Sequence, residues 1–355
     1  MNLKITKQPI RYLIILICLI FFTPNLLAQE TQVLYFGHAG YTAKINNDDT
    51  KDNQSAFNTG GFNMFVTSKL TDRISVLGEL FMGFKGDGST LVNFNIERLY
   101  FKYQVKDKLN LRIGRQYTPL GFWNNTYTQG IVYQPTINRP YPVRNENDKG
   151  ILSTNSVGLQ IDGEDIGGML FSYYLMVDNT TGSASINTDN TTKKAITGKL
   201  KFEPILDWDV FASARHDFIV AGGESVQGVV QANEVQQTIF NAGIAHMTVI
   251  SSFELSVEYF HVINNIESVN KSSNNFMYGY VGYRVNQITP YFQYGYLEYD
   301  ASDQYFVPSV RRAFVTGLRY NFTPDVVLKM EYKYRKKEST DPRQDVISLQ
   351  VAAVF

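Results

Sequence analysis

The stretch "VVLKMEYKYRK", Val326 to Lys336, decides the fold. Its even positions, Val326, Leu328, Met330, Tyr332 and Tyr334, are apolar. Its odd positions include Lys329, Glu331, Lys333 and Arg335. Alternation with period two marks an extended strand whose two faces meet different surroundings. A basic side chain turned toward hydrocarbon costs roughly 2–4 kcal/mol near a bilayer midplane. Three such costs rival the whole stability of a domain, about 5–15 kcal/mol. If one face meets lipid, the charged face must therefore look into water.

The same alternation ends the chain. In "VISLQVAAVF" (Val346 to Phe355), Ile347, Leu349, Val351, Ala353 and Phe355 form an apolar register, and the other register is small or mixed. The strand stops on an aromatic residue without a polar tail.

The first 28 residues read as a separate object. Lys4, Lys7 and Arg11 precede a short apolar core, "YLIILICLIFF", and Leu26-Leu27-Ala28 fits a cleavage site, so the segment is expected to be a secretory signal peptide. The barrel is then expected over 29–355. Removing the segment leaves 327 residues with 30 basic and 33 acidic side chains. This near balance points to no nucleic-acid partner. Cys18, the single cysteine, lies inside the signal, so neither disulfides nor thiol chemistry support the mature chain. Beyond residue 28 no apolar run approaches the ~18 residues a spanning helix needs, yet the chain carries 23 Tyr and 24 Phe. The expected class is all-β, either a transmembrane barrel or a soluble periplasmic β-protein.

Sixteen alternating segments are expected near 32–45, 61–70, 73–86, 91–106, 108–116, 154–162, 168–178, 194–203, 207–219, 235–248, 251–263, 274–285, 287–299, 310–322, 325–336 and 345–355. Short gaps such as "TDR" (71–73), "KDK" (106–108) and "TPD" (323–325) alternate with long polar ones such as 46–60, 179–193 and 220–234. Tight turns at one end and long loops at the other are the signature of a transmembrane barrel. An even strand number brings both ends of the barrel to the tight-turn side. In segment 91–106 the apolar parity changes between Ile96 and Leu99, which predicts a β-bulge near Glu97. Phe355, Phe202, Trp208 and Phe322 are expected to form an aromatic girdle at that end.

A terminal strand closing on Phe resembles the assembly signal of Gram-negative outer-membrane proteins. In length, strand count and loop alternation the chain resembles the porin superfamily of sixteen-stranded barrels. "LRIGRQYTPLGFWN" (Leu111 to Asn124) resembles proteins loosely grouped with the phosphate-selective (O/P-type) porins. The resemblance implies a cell outer-membrane channel for passive diffusion of small hydrophilic solutes or anions, contacts with outer-membrane lipid, and a homotrimer as one assembly. It implies no cofactor.

The longest gap, 117–153, spans 37 residues and is the third outer loop. Gaps of that length are usually functional. By the resemblance it folds into the lumen, with Arg139, Arg144, Glu146, Asp148 and Lys149 at the constriction. The other reading is a solvated cover over the mouth. The strand phases assign to the lumen Lys69, Arg98, Lys102, Arg112, Lys199, Lys201, Arg215, Arg284, Arg311, Arg319, Lys329, Lys333 and Arg335. The acids assigned there are Glu79, Asp162, Glu203, Asp209, Asp217, Glu254, Glu258 and Glu331. An excess of one sign in a narrow pore selects ions, here mildly for anions, unless the charges pair across strands. The short Lys199/Lys201 ladder departs from the dense lysine rows of phosphate-selective channels. None of His38, His216, His246 and His261 sits in an H-E-x-x-H pair, and no G-x-S-x-G elbow occurs, so no enzyme is expected. Asp48, Asp49 and Asp52 read as a solvated acidic loop. The rival function is a barrel with a closed lumen whose outer loops bind or adhere to surfaces.

Overall fold

The computed structural model describes residues 30–46, 53–84, 92–127, 131–144, 150–181, 191–248, 250–306, 312–336 and 344–355. The expected signal segment, Asp48, Asp49, Asp52, Glu146, Asp148, Lys149 and Arg311 lie outside them. The described residues form seventeen strand segments in one antiparallel sheet. In chain order these are β1 (Glu30–Asn46), β2 (Gln54–Asn58), β3 (Gly61–Lys69), β4 (Ile74–Phe84), β5 (Val92–Lys106) and β6 (Leu109–Tyr117). There follow β7 (Asn155–Ile166), β8 (Phe171–Asp178), β9 (Ala195–Ile205), β10 (Trp208–Ile219), β11 (Val235–His246) and β12 (Phe253–Ile266). The last five are β13 (Asn270–Tyr283), β14 (Ile288–Glu298), β15 (Arg312–Thr323), β16 (Val326–Lys336) and β17 (Gln344–Val354).

The wall nevertheless has sixteen strands, because β2 and β3 share one edge of β1. The first half of β1 pairs with β3 and the second half with β2. Between them the register gains one residue around Thr59-Gly60, with Gly60 at φ +54°. That is a β-bulge, and a left-handed backbone favours glycine there. A Cβ on Gly60 would also strike the His38 ring, at 2.1 Å from Nε2. The structure thus corrects the reading of 46–60 as one polar loop: residues 54–58 continue the wall.

The other edge of β1 pairs with β17, which closes the barrel. Closure leaves no unpaired strand edge in hydrocarbon, where each unmatched backbone group would cost several kcal/mol. Tyr35 N–H donates to the Phe355 carbonyl at 2.8 Å, and Phe355 N–H donates to the Tyr35 carbonyl at 2.9 Å. The Phe355 ring lies 5.9 Å from Tyr35 and 6.3 Å from Phe62. Phe202 packs 5.0 Å from Phe171, and Phe322 packs 4.6 Å from Tyr320. Trp208 stacks 4.7 Å from His246, so each of the four aromatic residues expected at the tight-turn end packs on a neighbouring ring.

The phase follows the alternation. Lys329 is wholly buried and Lys333 nearly so, whereas Met330 is 49% and Tyr332 39% exposed on the outer surface. Met169, Leu175, Val177 and Val210 are exposed on the same outer side. In β5 the pairing jumps from Glu79↔Arg98 to Leu80↔Ile96. The residue left over is Glu97, and this bulge lets Ile96 and Leu99 both face outward.

Candidate functional site

The described residues of the 117–153 gap do not lie over the mouth. Leu120, Phe122, Trp123, Tyr141, Val143, Ile151 and Leu152 are buried among inward-facing side chains of the wall. The loop leaves β6 through Gly121 (φ +78°), where a Cβ would come within 2.6 Å of the Glu258 carboxylate. It then forms a one-turn helix, α1 (Trp123–Thr126), and later a 3₁₀ turn at Tyr141–Val143.

Three groups of wall residues hold it. On β12, Glu258 accepts from the Phe122 N–H at 2.9 Å, the Trp123 N–H at 3.0 Å, Asn241 Nδ2 at 3.0 Å and the Tyr278 hydroxyl. On β9, Lys199 Nζ donates to the Gly121 carbonyl at 2.6 Å and to Asn125 Oδ1 at 2.9 Å. On β16, Lys329 Nζ donates to the Ile131 carbonyl at 2.5 Å, and Glu331 accepts from the Ile137 N–H at 2.6 Å and the Tyr291 hydroxyl at 2.9 Å. Ile131 and Val132 pack on Phe36, Val327, Ala352 and Val354 of β1, β16 and β17. The loop therefore reaches from β6 and β7 across to the opposite wall. Charged groups are expensive to bury alone, and each of these anchors is offset by hydrogen bonds to loop backbone.

One half of the lumen is filled. Trp123, Tyr141 and Leu152 of the loop join Phe260, Phe276, Tyr278, Tyr280 and Tyr291 of β12 to β14 in one apolar cluster. Tyr305 and Phe306, from the loop after β14, complete it. Asp303 holds that second loop down. It accepts from Asn264 at 2.8 Å, Ser272 at 2.6 Å and Asn274 at 2.5 Å, and from the N–H groups of Tyr305 at 2.7 Å and Phe306 at 2.9 Å.

The other half keeps space. A cavity of about 350 Å³ lies between the loop and the β1, β3, β4 and β17 wall, lined by Phe36, His38, Glu97, Arg139 and Arg144 among others. Arg139 donates to Asn124 Oδ1 at 3.0 Å, and its burial lowers its pKa to about 10. Arg144 stacks 3.6 Å from the Tyr141 ring centre. Burial alone would raise the Tyr141 phenol, but Arg144, Lys333 and Arg335 outweigh it and draw its pKa below the ordinary value. Arg144, Lys333 and Arg335 thus gather around the Tyr141 ring on the side of the loop facing β16.

Among the described residues, ten of the charges assigned to the lumen stand in ion pairs. Arg98 meets Glu79 at 2.9 Å, Arg112 meets Asp162 at 2.8 Å, Lys201 meets Asp209 at 3.2 Å and Arg319 meets Glu254 at 2.5 Å. Arg215 lies between Asp178 at 2.8 Å and Asp217 at 3.0 Å. Asp178 and Glu164 (3.6 Å from Arg112) are absent from the acids assigned to the lumen by phase, so that count understated the negative side. Arg284 donates to the Ser251 carbonyl at 2.7 Å in a turn. Lys102 faces the tight-turn mouth, beside Lys69 and Arg73, on a cavity of about 410 Å³. Arg335 is half-buried at the outer end of β16.

Sequence reasoning missed the filled half. A signal was present: "NNFMYGYVGY" (Asn274–Tyr283) is apolar on both faces, Phe276, Tyr278 and Tyr280 inward and Met277 and Val281 outward. A barrel strand apolar on both faces marks a place where something packs inside.

No family model matches the chain, and no curated protein matches it. Solved structures do. The anion-selective porin from Comamonas acidovorans aligns with 14% identity and a TM-score of 0.67, over 92% of this chain and all of that one. The outer-membrane channel DcaP of Acinetobacter baumannii aligns with 11% identity and a TM-score of 0.62, over 92% and 97%. Salmonella typhi OmpF, solved in complex with daunomycin, aligns with 11% identity and a TM-score of 0.61, over 92% and 98%. At these identities the likeness establishes the fold: the chain is a sixteen-stranded antiparallel β-barrel of the porin fold, with an apolar outer belt.

Proposed function

We propose that the protein is a passive channel for small hydrophilic solutes with a mild preference for anions. Residues 1–28 act as the export signal and the mature barrel resides in the outer membrane. The reading rests on one observation above all. The 117–153 loop is held across the lumen by Glu258, Lys199, Lys329 and Glu331, with Arg139 and Arg144 facing the space that is left. A solute would pass between this loop and the β1–β4 wall, then along β5 to β9 to the tight-turn mouth. Fixed cations beside a narrow aqueous path raise the local concentration of anions. Ion pairing of Arg98, Arg112, Lys201, Arg215 and Arg319 keeps the preference small. Glu146, Asp148 and Lys149 belong to the same loop and enter this reading by sequence position alone. The anion-selective porin among the structural neighbours lends support, and a homotrimer is the assembly we propose.

A second reading, a closed barrel serving surface binding, draws on the apolar cluster that fills the β11–β15 half. Conductance of the purified protein in a planar bilayer separates the two. Steady current supports the channel, and silence from folded protein supports the closed barrel. Reversal potentials under a KCl gradient should show weak anion preference, and deletion of residues 125–148 should raise conductance and weaken that preference. Clear cation selectivity of the intact protein would contradict the charge assignment.

A further inference from the structure

On β14, Gly295 faces the lumen between Gln293 and Leu297, and it pairs directly with Ala313 of β15. The next strands carry large residues at the paired positions, Tyr278 on β13 and Arg335 on β16. Directly opposed side chains on neighbouring strands stand about 5 Å apart, so the two small residues leave a notch in a bulky wall. Ala313 is nevertheless only 1% exposed, so the notch is filled. Tyr141 fills it, from the start of the 3₁₀ turn in the long loop. A Cβ on Gly295 would lie 3.8 Å from the Tyr141 Cβ, an ordinary van der Waals contact. Alanine at 295 therefore fits, whereas the rest of a leucine side chain would need space that the turn occupies.

Tyr141 in turn holds Arg144. The guanidinium lies 3.6 Å from the ring centre, and the Arg144 backbone N–H donates to the Tyr141 carbonyl at 3.4 Å. The side-chain Nε has no hydrogen-bond partner among the described residues. The turn is closed at its neck. Ile151 N–H donates to the Pro142 carbonyl at 3.1 Å, and the chain returns so near at Gly150 that a Cβ there would lie 1.9 Å from the Arg144 carbonyl oxygen. Lys333 and Arg335 of β16 stand beside the same ring. Like charges repel, and the ring face attracts the cation, so an Arg144 released from the ring would leave that wall. Arg144 also lines the open half of the lumen. We propose that the Gly295–Ala313 notch sets the ion preference of the channel from a distance, by seating Tyr141, the positioning residue that fixes Arg144 beside the path. The inference rests on the channel reading. It adds that the preference depends on where Arg144 is held as well as on its charge, and that a glycine on the filled side of the lumen controls this.

The test measures reversal potentials of the purified protein under a KCl gradient in a planar bilayer. Gly295→Leu and Tyr141→Ala remove no charge, yet both should lower the chloride-to-potassium permeability ratio toward that of Arg144→Ala. Tyr141→Phe keeps the ring and should keep the intact ratio. The double variant Tyr141→Ala, Arg144→Ala should lose no more than Arg144→Ala alone. Additive losses, an unchanged ratio in Tyr141→Ala, or no effect of Arg144→Ala overturns the proposal. Tyr141→Ala covers the case that Gly295→Leu fails to fold. A second readout needs no current. Trypsin cuts after Arg144 only when that side chain leaves the ring, and Arg139, which precedes Pro140, resists it in any state. The folded protein in detergent should stay uncut at 144, as should Tyr141→Phe, whereas Gly295→Leu and Tyr141→Ala should yield the fragment ending at Arg144, identified by its mass. Ready cleavage of the intact protein at Arg144 overturns the seat. A silent barrel with the expected cleavage pattern sinks the channel reading and keeps the seat. A conducting one whose selectivity and cleavage both ignore Tyr141→Ala sinks the seat alone.

Discussion

Glu258 shows how one side chain positions a whole loop. Its carboxylate accepts two successive backbone N–H groups, at Phe122 and Trp123, and the left-handed turn at Gly121 brings them there. Glu258→Ala leaves both donors buried and unmatched, at roughly 1–3 kcal/mol each. We expect faster proteolysis between 121 and 153 and larger single-channel conductance. Glu331→Ala removes the partner of Ile137 and should act in the same direction. Unchanged conductance and protease resistance in the double variant would mean that the loop is held by its apolar contacts alone. Arg215 is the contrasting case, since it touches no loop anchor and serves the wall. Removing it strands Asp178 and Asp217, and breaking a buried ion pair costs about 3–5 kcal/mol. Arg215→Ala should lower the temperature at which the folded band disappears on unheated gels. Adding Asp178→Asn and Asp217→Asn should restore part of it.

At the scale of the element, β5 carries its own test. The parity change between Ile96 and Leu99 was legible in the sequence, and the pairing assigns the extra residue to Glu97. Deleting Glu97 restores strict alternation, with Phe94, Ile96, Leu99 and Phe101 outward and Asn95, Arg98, Tyr100 and Lys102 inward. That variant should still assemble, losing the contacts of Glu97 with Asn95 and Asn155. Deleting Phe101 instead reverses the phase of one side of the strand, which turns either Lys102 or Arg98 toward lipid, and should reduce the yield of folded barrel. Equal yields from the two deletions would contradict the assigned phase. The β2–β3 segment was harder to read. Residues 54–58 sit in a polar stretch, and only their hydrogen bonds to β1 reveal them as wall.

Across the whole molecule, two media and one loop set the architecture. Hydrocarbon requires an apolar belt and a closed sheet, and the pairing of β1 with β17 supplies the closure. Met330→Lys puts a charge on the lipid face beside Lys329 and should destabilise the barrel by roughly 2–4 kcal/mol. The midpoint of urea-driven unfolding in lipid vesicles measures it, and an unchanged midpoint would place Met330 away from hydrocarbon. Inside, the lumen is divided between an apolar cluster along β11–β15 and a polar path along the remaining wall.

The sequence alone determined every described strand but β2, the outward phase of the lipid-facing residues, the bulge in β5 and the closing aromatic strand. Lipid and water act on every second residue, so their demand repeats along the chain and can be read locally. Tertiary structure alone decided where the loop goes and what the wall charges do. Trp123 meets Glu258 across 135 positions, and Ile131 meets Lys329 across 198. These contacts have no period. Lys199, Lys329 and Glu331 look like pore charges along their strands and become loop anchors only when the barrel closes and brings the loop against them. Arg215 has Asp217 two residues along its own strand, but its second carboxylate, Asp178, arrives only when β8 closes in beside it. A repeated boundary leaves a pattern in the sequence, whereas a single long-range meeting of a donor with an acceptor does not.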